Sequence, residues 1–168
     1  MKKLVLALVL ILSAQLGFSQ TYDSIAPYKK DKNMPTFQVL LTDSTWYSNT
    51  TNNHNQPTLI IYFNPDCDHC QHMAASFEKD MDAFKNVNLL WTTYLAPLDE
   101  LKNFSHSYNL DKYPNVYFGK DPNYAIPAFF RVEYTPFVAL YDKNNKLVHT
   151  WTLNVSADEI KFSLKNLK

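Results

Sequence analysis

Residues 58–70 read TLIIYFNPDCDHC and contain the only two cysteines of the chain, Cys67 and Cys70. The apolar run after Thr58 is typical of a central strand that is covered on both faces. The apolar residues Met73, Phe77, Met81 and Phe84 then recur at helical spacing. A thiol between such a strand and helix is exposed in the positive field of the helix N-terminus, which lowers its pKa. The stretch therefore predicts a redox-active dithiol.

Other uses of the cysteines are open at this stage. A zinc site needs two further ligands, commonly a second close pair of Cys or His, and the chain has no second cysteine pair. A structural disulfide that encloses two residues constrains the unfolded chain very little. A copper site could use Cys67, Cys70, His69 and His72, because thiolates favour Cu(I), but adjacent side chains at positions 69 and 70 do not easily converge on one ion. We expect redox chemistry and no resident metal.

The first 19 residues have the pattern of a secretory signal peptide. Lys2 and Lys3 precede an apolar stretch from Leu4 to Leu12, and residues 17–19 form a small-x-small cleavage site. The apolar run ends before it reaches the ~20 residues that a membrane-spanning helix needs. We expect cleavage after Ser19 and a mature protein in the periplasm or outside the cell, where disulfide exchange is common.

Charge and length limit the remaining possibilities. The chain has 16 Lys and Arg against 16 Asp and Glu, and loss of Lys2 and Lys3 leaves 14 against 16, a net charge of −2. This balance argues against a nucleic-acid partner or an anionic membrane surface, for which a basic cluster is expected. About 150 residues remain, the size of one domain. We expect an extended lead-in over residues 20–34 and a single domain over residues 35–168, acting as a monomer.

The rest of the chain alternates between strand and helix patterns, which predicts parallel strands with helices on the faces of a sheet. A hairpin is expected at each end of this alternation, and Ser156 with Glu159 forms a capping box that opens a last helix. The predicted elements are a hairpin from Phe37 to Tyr47, strands 58–63, 88–94 and 115–118, helices beginning after Cys67 and near Pro97, a short helix or irregular connection over 121–128, and a hairpin over 137–151.

This order of elements, with FNPDCDHC at a strand-helix junction and TPFVALYD at 135–142 before a closing hairpin and helix, resembles the thioredoxin fold. The chain is more similar to the secreted TlpA/ResA-like thiol-disulfide oxidoreductases, over residues 35–168. The resemblance implies an α/β fold with a central mixed sheet flanked by helices, an N-terminal hairpin and an inserted strand-helix segment between the cysteines and Pro136. It also implies that the Thr135–Pro136 bond is cis and packs beside the dithiol.

The resemblance implies a mechanism without a cofactor. Cys67, nearer the strand end and expected to be the more exposed sulfur, attacks a substrate disulfide as a thiolate. Cys70, one helical turn further on, resolves the mixed disulfide. Thr135 and Pro136 hold the substrate backbone and shield the sulfurs from metals. The implied partners are disulfide-bearing secreted or periplasmic proteins, for example in cytochrome c maturation, and a membrane thiol donor.

Residues around the cysteines affect the direction of exchange in opposite senses. His69 can stabilise the Cys67 thiolate and make the pair more oxidising, as in the similar C-P-H-C motif of DsbA-like oxidases. Asp66 and Asp68 disfavour the thiolate, although we expect Asp66 to serve mainly as the N-cap of the helix. Ile61 occupies the strand position at which thioredoxin carries a buried acid, and we expect the lone Glu133 to be a solvated charge. A reductase is therefore the first hypothesis, with a DsbA-like oxidase or isomerase or a copper metallochaperone as alternatives.

Overall fold

The structure is a computed structural model that describes residues 24–51 and 55–167. Seven strands form one mixed sheet in the order β2-β1-β5-β4-β3-β6-β7. The strands are β1 (Gln38–Leu41), β2 (Trp46–Ser48), β3 (Thr58–Tyr62), β4 (Asn88–Thr93), β5 (Val116–Lys120), β6 (Phe137–Tyr141) and β7 (Leu147–Thr152). This arrangement confirms the predicted fold class. The predicted signal peptide lies outside the described residues.

Five α-helices and one 3-10 helix are found in the described part of the chain. They are α1 (Pro27–Lys30), α2 (Asp68–Asp80), the 3-10 helix Met81–Phe84, α3 (Leu98–Ser107), α4 (Ala125–Phe130) and α5 (Ala157–Lys165). Within these residues, no helix is both long enough and apolar enough to cross a membrane.

Strand β3 lies near the middle of the sheet, and all five of its side chains are buried. It pairs in parallel with β4, where Tyr62 lies opposite Thr92, and antiparallel with β6, where Tyr62 lies opposite Phe137. Helices cover both faces of this strand, and this burial explains why its residues form a continuous apolar run in the sequence. The pairing also places the end of β3, from which the cysteines follow, beside the beginning of β6.

The two faces of the sheet carry different helices. One face packs against α2, α3 and α5 through an aromatic cluster in which Trp91 stacks on Phe118 and contacts Phe63 and Phe77 edge to face. The other face packs against α1 and α4, with Phe130 at its centre. Cys70 belongs to the first cluster, so the dithiol lies on the face that carries three helices.

Strand β1 packs so closely on β5 that only glycine fits at position 119. A Cβ atom on Gly119 would lie 2.5 Å from Val39 Cγ1 and 2.6 Å from the carbonyl oxygen of Leu40. The sequence already predicted the hairpin of β1 and β2, and the structure confirms it. The hairpin is attached to the sheet through the antiparallel pairing of β1 with β5.

Most predicted elements are confirmed, including the hairpin of β6 and β7. The capping box is present, and the Glu159 carboxylate accepts a hydrogen bond from the Ser156 N–H at 3.0 Å.

The lead-in over residues 20–34 is not extended throughout, because residues 27–30 form the short helix α1. Tyr28 of this helix packs on Phe130 and Phe137, at ring distances of 5.4 and 6.3 Å. This long-range packing stabilises a helix whose sequence shows no helical period.

Candidate active site

A tight turn carries the chain from β3 to α2 and positions Cys67. The Asn64 side chain accepts a hydrogen bond from the Asp66 N–H at 3.1 Å, and the Asn64 carbonyl accepts one from the Cys67 N–H at 3.0 Å. From the first turn of α2, Gln71 donates to the Pro65 carbonyl at 2.9 Å. These bonds hold Cys67 at the N-cap position of α2, directly in front of the first helical residue.

The sequence interpretation of Asp66 as the N-cap is wrong. The helix begins at Asp68, so the capping position belongs to Cys67, and Asp66 is one residue too early. The Asx turn of Asn64 uses the N–H of Asp66 and leaves its carboxylate exposed. The structure therefore places a sulfur where a capping oxygen is usual, facing the first N–H groups of the helix.

The two cysteines have different environments, and both are thiols in this structure. Cys67 is partly exposed, whereas Cys70, one helical turn further on, is completely buried. The expectation that Cys67 is the more exposed sulfur is confirmed. An external disulfide can reach only the first of the two without a rearrangement of the helix.

The segment before β6 closes the site from the other side. The Thr135–Pro136 bond is cis, as the resemblance implied. The Cys67 thiol donates a hydrogen bond to the Thr135 carbonyl oxygen at a distance of 3.5 Å. Residues that are 68 positions apart in the chain thus meet where the end of β3 lies beside the beginning of β6.

The pKa of Cys67 is set by two opposing effects. Partial burial raises it, but hydrogen bonding from the side chains of Thr135 and Cys70 and from the backbone N–H groups of Cys70 and His69 lowers it. The net result is a pKa below the ordinary value of a cysteine. Since the thiolate is the nucleophile, this shift increases the reactive fraction of Cys67 near neutral pH.

The pKa of Cys70 moves in the opposite direction. Burial raises it to about 12, and the proximity of Cys67 adds to the increase. The backbone N–H of Asn64 and the side chain of Thr135 oppose this change and do not cancel it. Cys70 therefore holds its proton at physiological pH, while Cys67 can lose its own.

The residues between and before the cysteines lie at the surface. Asp66, Asp68 and His69 are all exposed. The contribution of His69 to the pKa of Cys67 comes from its backbone N–H. The side chain of His69, together with His72, lines a shallow groove between α2 and the segment from Asn154 to Ser156.

Ile61 and Glu133 are the other residues near the site for which the sequence provided a structural prediction. Ile61 is buried in the core, so it supplies no proton acceptor beneath the dithiol. Glu133 is exposed, which agrees with its interpretation as a solvated charge.

Within residues 24–51 and 55–167, no group of three His, Cys, Asp or Glu side chains could hold a metal ion. The four side chains of the copper alternative, Cys67, Cys70, His69 and His72, therefore do not converge as one ligand set.

Sequence reasoning missed two residues near the site. Asn64 orders the turn through its side chain and also directs its N–H towards Cys70. The pair Asn64-Pro65 before the cysteines was a usable signal, because asparagine before proline favours a turn. Asp121, which follows β5, is a completely buried carboxylate, and no local pattern distinguishes it from an exposed turn residue.

Comparison with known proteins agrees with this geometry. The profile of the thioredoxin family, described as "Thioredoxin", matches residues 36–129, which is more than half of the chain. "Bloodstream-specific protein 2" of Trypanosoma brucei brucei is 28% identical over 137 residues, 79% of this chain. The chain spans only 26% of the length of that relative.

Two solved structures share the fold. A secreted disulfide oxidoreductase of Mycobacterium tuberculosis, homologous to DsbE of E. coli, superposes with a TM-score of 0.65 and 20% identity, over 78% of this chain and 96% of the other. StoA from Bacillus subtilis superposes with a TM-score of 0.62 and 14% identity, over 80% and 99% of the two chains. At these identities the likeness concerns the fold.

The chain belongs to the thioredoxin family. A C-x-x-C pair follows its central strand and stands at the beginning of α2. The solved neighbours share the thioredoxin-like fold that the sequence motifs indicated.

Proposed function

We propose that this protein reduces disulfides of secreted or periplasmic proteins by exchange through Cys67 and Cys70. The observation that carries the proposal is the asymmetry of the dithiol. Cys67 is accessible and has a lowered pKa, and Cys70 is buried and has a raised pKa. One sulfur is thus suited to attack and the other to resolve.

In the proposed reaction, the Cys67 thiolate attacks one sulfur of the substrate disulfide. The substrate S–S bond breaks, a mixed disulfide with Cys67 forms, and the departing substrate thiolate takes a proton from solvent. Cys70 then loses its proton and attacks Cys67 Sγ, which releases the second substrate thiol. Two electrons pass to the substrate, and the dithiol becomes a disulfide. Thr135 and Pro136 are proposed to hold the substrate backbone beside Cys67.

The reducing direction is supported by the groups around Cys67. The groups that lower its pKa are uncharged hydrogen-bond donors. The negative charges of Asp66 and Asp68, the nearest in sequence, are expected to oppose a thiolate. A less stabilised thiolate gives a less oxidising couple. We propose Asp66, Asp68 and His69 as the residues that tune this balance.

The proposal includes location and partners. The signal-peptide pattern of residues 1–19 supports export, followed by the lead-in 20–34 and a monomeric domain over 35–168. A reductase outside the cytoplasm needs a source of electrons, and we propose a membrane thiol donor. Apocytochrome c is one protein disulfide substrate of the proposed class.

A DsbA-like oxidase or isomerase is the second candidate, because the lowered pKa of Cys67 also stabilises the reduced form. The reduction potential separates the two functions. A value near or below about −250 mV, close to that of thioredoxin, supports a reductase, and a value above about −180 mV makes the protein an oxidase or isomerase. It is measured by thiol alkylation and mass spectrometry after equilibration in dithiothreitol or glutathione buffers.

Turnover tests the proposed roles of the sulfurs. Cys67→Ser is expected to abolish reduction of a protein disulfide. Cys70→Ser is expected to accumulate a mixed disulfide through Cys67, visible as a mass increase that dithiothreitol reverses. A fully active Cys67→Ser variant would show that the proposed mechanism is wrong.

A further inference from the structure

Three large apolar side chains are exposed on the segments that follow β4 and β5. Tyr94 is 41% exposed, Leu95 is 68% exposed and Tyr124 is 48% exposed. Tyr94 and Leu95 follow β4 directly, and Tyr124 follows β5. We call these three side chains the apolar platform. Contiguous apolar surface of this kind marks an interaction site more often than isolated exposed residues do.

The apolar platform lies at the same edge of the sheet as Cys67. Strands β3, β4 and β5 are parallel neighbours, and their last residues lie side by side in register, with Tyr62 opposite Thr92 and Thr93 opposite Lys120. Adjacent strands are about 4.8 Å apart, so the ends of β3 and β5 are separated by roughly 10 Å. Cys67 follows the end of β3 and contacts Thr135, and an extended peptide covers a distance of about 10 Å with about three residues.

The two rings of the apolar platform support each other. The Tyr94 and Tyr124 rings meet edge to face, with their centroids 5.2 Å apart. The Thr93 hydroxyl accepts a hydrogen bond from the Leu95 N–H at 3.2 Å. Beneath them, the Tyr62 phenol lies within hydrogen-bonding reach of the Tyr94 backbone and the Thr93 side chain. The exposed side chains are therefore mounted on an ordered backbone and do not belong to a loose loop.

The buried carboxylate of Asp121 holds the other half of the apolar platform. Its backbone N–H donates to the Thr93 carbonyl at 2.8 Å, which joins the ends of β4 and β5. One carboxylate oxygen accepts the Ile126 N–H at 2.8 Å, and the Asp121 carbonyl accepts the Tyr124 N–H at 3.3 Å. Asp121 thus fixes the residues on both sides of Tyr124.

We propose that the apolar platform is a docking site for an extended segment of the substrate polypeptide that carries an aromatic or large aliphatic side chain about three residues from its disulfide-bonded cysteine. This inference rests on the proposed function and specifies its substrate class. A segment of an unfolded polypeptide can reach both Cys67 and the platform, whereas a small disulfide can reach only Cys67.

The size and composition of the apolar platform favour a short substrate segment, rather than a second copy of the chain, as its occupant. A stable protein interface uses roughly 20 to 30 residues on each side, and three side chains anchor only a short segment. Tyrosine supplies a large amphipathic contact area at a low cost in conformational entropy. The apolar platform also lies at the same edge of the sheet as the cysteine that the substrate must reach.

The test compares two peptides that differ at one position. Each contains one cysteine joined by a disulfide to 5-thio-2-nitrobenzoate, with either Phe or Ser about three residues away. Release of the coloured thiol by the reduced protein gives the rate, and the ratio of the two rates gives the preference. We expect the native protein to prefer the Phe peptide about fivefold to tenfold.

The variant combines Leu95→Ser with Tyr124→Asn. The φ angle of Tyr124 is +55°, and asparagine adopts this left-handed conformation readily, so the backbone is retained. The matched control is Phe162→Ser, which removes an exposed aromatic ring on α5, remote from this edge and 72% exposed. We expect the preference to fall below about twofold in the platform variant and to remain in the control. A native protein without preference, or a preference that survives in the platform variant, would overturn the proposal.

A redox-inactive measurement separates failure of the docking proposal from failure of the proposed function. The Cys67→Ser/Cys70→Ser protein is titrated with a fluorescent Phe peptide in which Ser replaces Cys, and binding is followed by anisotropy. Binding that the platform substitutions weaken, without turnover by the native protein, would refute the proposed function and retain the docking site. Concentration-dependent dimerisation that the same substitutions abolish would instead identify a second copy as the occupant and overturn the proposal.

Discussion

The Sγ atom of Cys67 lies 3.5 Å from the carbonyl oxygen of Thr135. This contact joins the N-cap of α2 to the residue before Pro136, and it exists because β3 and β6 are antiparallel neighbours. The hydroxyl-bearing side chain of Thr135 influences both sulfurs, since it lowers the pKa of Cys67 and opposes the increase at Cys70. The chemistry of the dithiol therefore depends on a residue that is distant in the chain.

The opposite pKa shifts predict selective alkylation of the two thiols. In the reduced native protein at about pH 7.5, iodoacetamide should modify Cys67 and leave Cys70 unmodified, because only Cys67 has an accessible thiolate. Peptide mapping by mass spectrometry identifies the modified residue. In urea both thiols should react at similar rates. Equal modification of both in the native state would contradict the asymmetry.

Replacement of Thr135 tests its contribution to the Cys67 thiolate. Thr135→Val removes the hydroxyl at nearly constant volume, so the pKa of Cys67 should increase and its alkylation rate near neutral pH should fall severalfold. Thr135→Ser keeps the hydroxyl and should keep the native rate. The pH dependence of the ultraviolet thiolate absorbance measures the pKa directly. An unchanged pKa in the valine variant would assign the shift to the backbone donors alone.

The raised pKa of Cys70 predicts that the reduced protein loses stability at alkaline pH. Because its pKa is higher in the folded protein than in the unfolded chain, stability from this group is complete below the ordinary value of 9.0 and is lost as the pH rises towards about 12. The free energy of unfolding should fall by about 1.4 kcal/mol per pH unit in this window. Urea titrations between about pH 9 and 10 measure the slope.

The matched comparison for this slope is Cys70→Ser, which removes the thiol. Two buried phenols, Tyr47 and Tyr141, also have raised pKa values because of burial, and they contribute to the alkaline loss in both proteins. The difference between the two slopes therefore isolates Cys70. Identical slopes would mean that Cys70 ionises as easily in the folded protein as in the unfolded chain.

Removal of the Asp121 carboxylate should destabilise the end of β5 and the beginning of α4. Asp121→Ala leaves the buried Ile126 N–H without its acceptor, at a cost of about 1 to 3 kcal/mol. Asp121→Asn retains an acceptor oxygen and should cost less. Urea denaturation measures both changes. A larger loss for asparagine than for alanine would show that the Ile126 hydrogen bond is not the main role of this side chain.

The sequence predicted the elements whose causes are local. Strand β3 is recognisable because a strand buried on both faces has a continuous apolar run, and α2 because Met73 and Phe77 recur at helical spacing. The capping box of Ser156 and Glu159 is likewise contained in four consecutive residues. The C-x-x-C pair between β3 and α2 indicated the location of the site for the same reason.

Elements that depend on distant contacts were missed or assigned incorrectly. Helix α1 forms where Tyr28 packs against Phe130 and Phe137, more than one hundred positions away. The N-cap is the exception, because it was assigned incorrectly for a local reason: the turn built by Asn64 places the start of α2 at Asp68 and the N-cap at Cys67. The buried state of Asp121 follows from the pairing of β4 with β5.

By itself, the sequence determined the order of strands and helices, the position of the dithiol and, through its resemblance to a known family, the cis bond before Pro136. Only the tertiary structure decided how completely Cys70 is buried, that its pKa rises, and which apolar side chains lie at the same sheet edge as the cysteines. The physical reason is the separation along the chain between the residues whose contacts decide each feature. Secondary structure follows from spacings of two or about 3.6 residues along the chain, whereas burial and hydrogen bonding at the site depend on residues that only the folded sheet brings together.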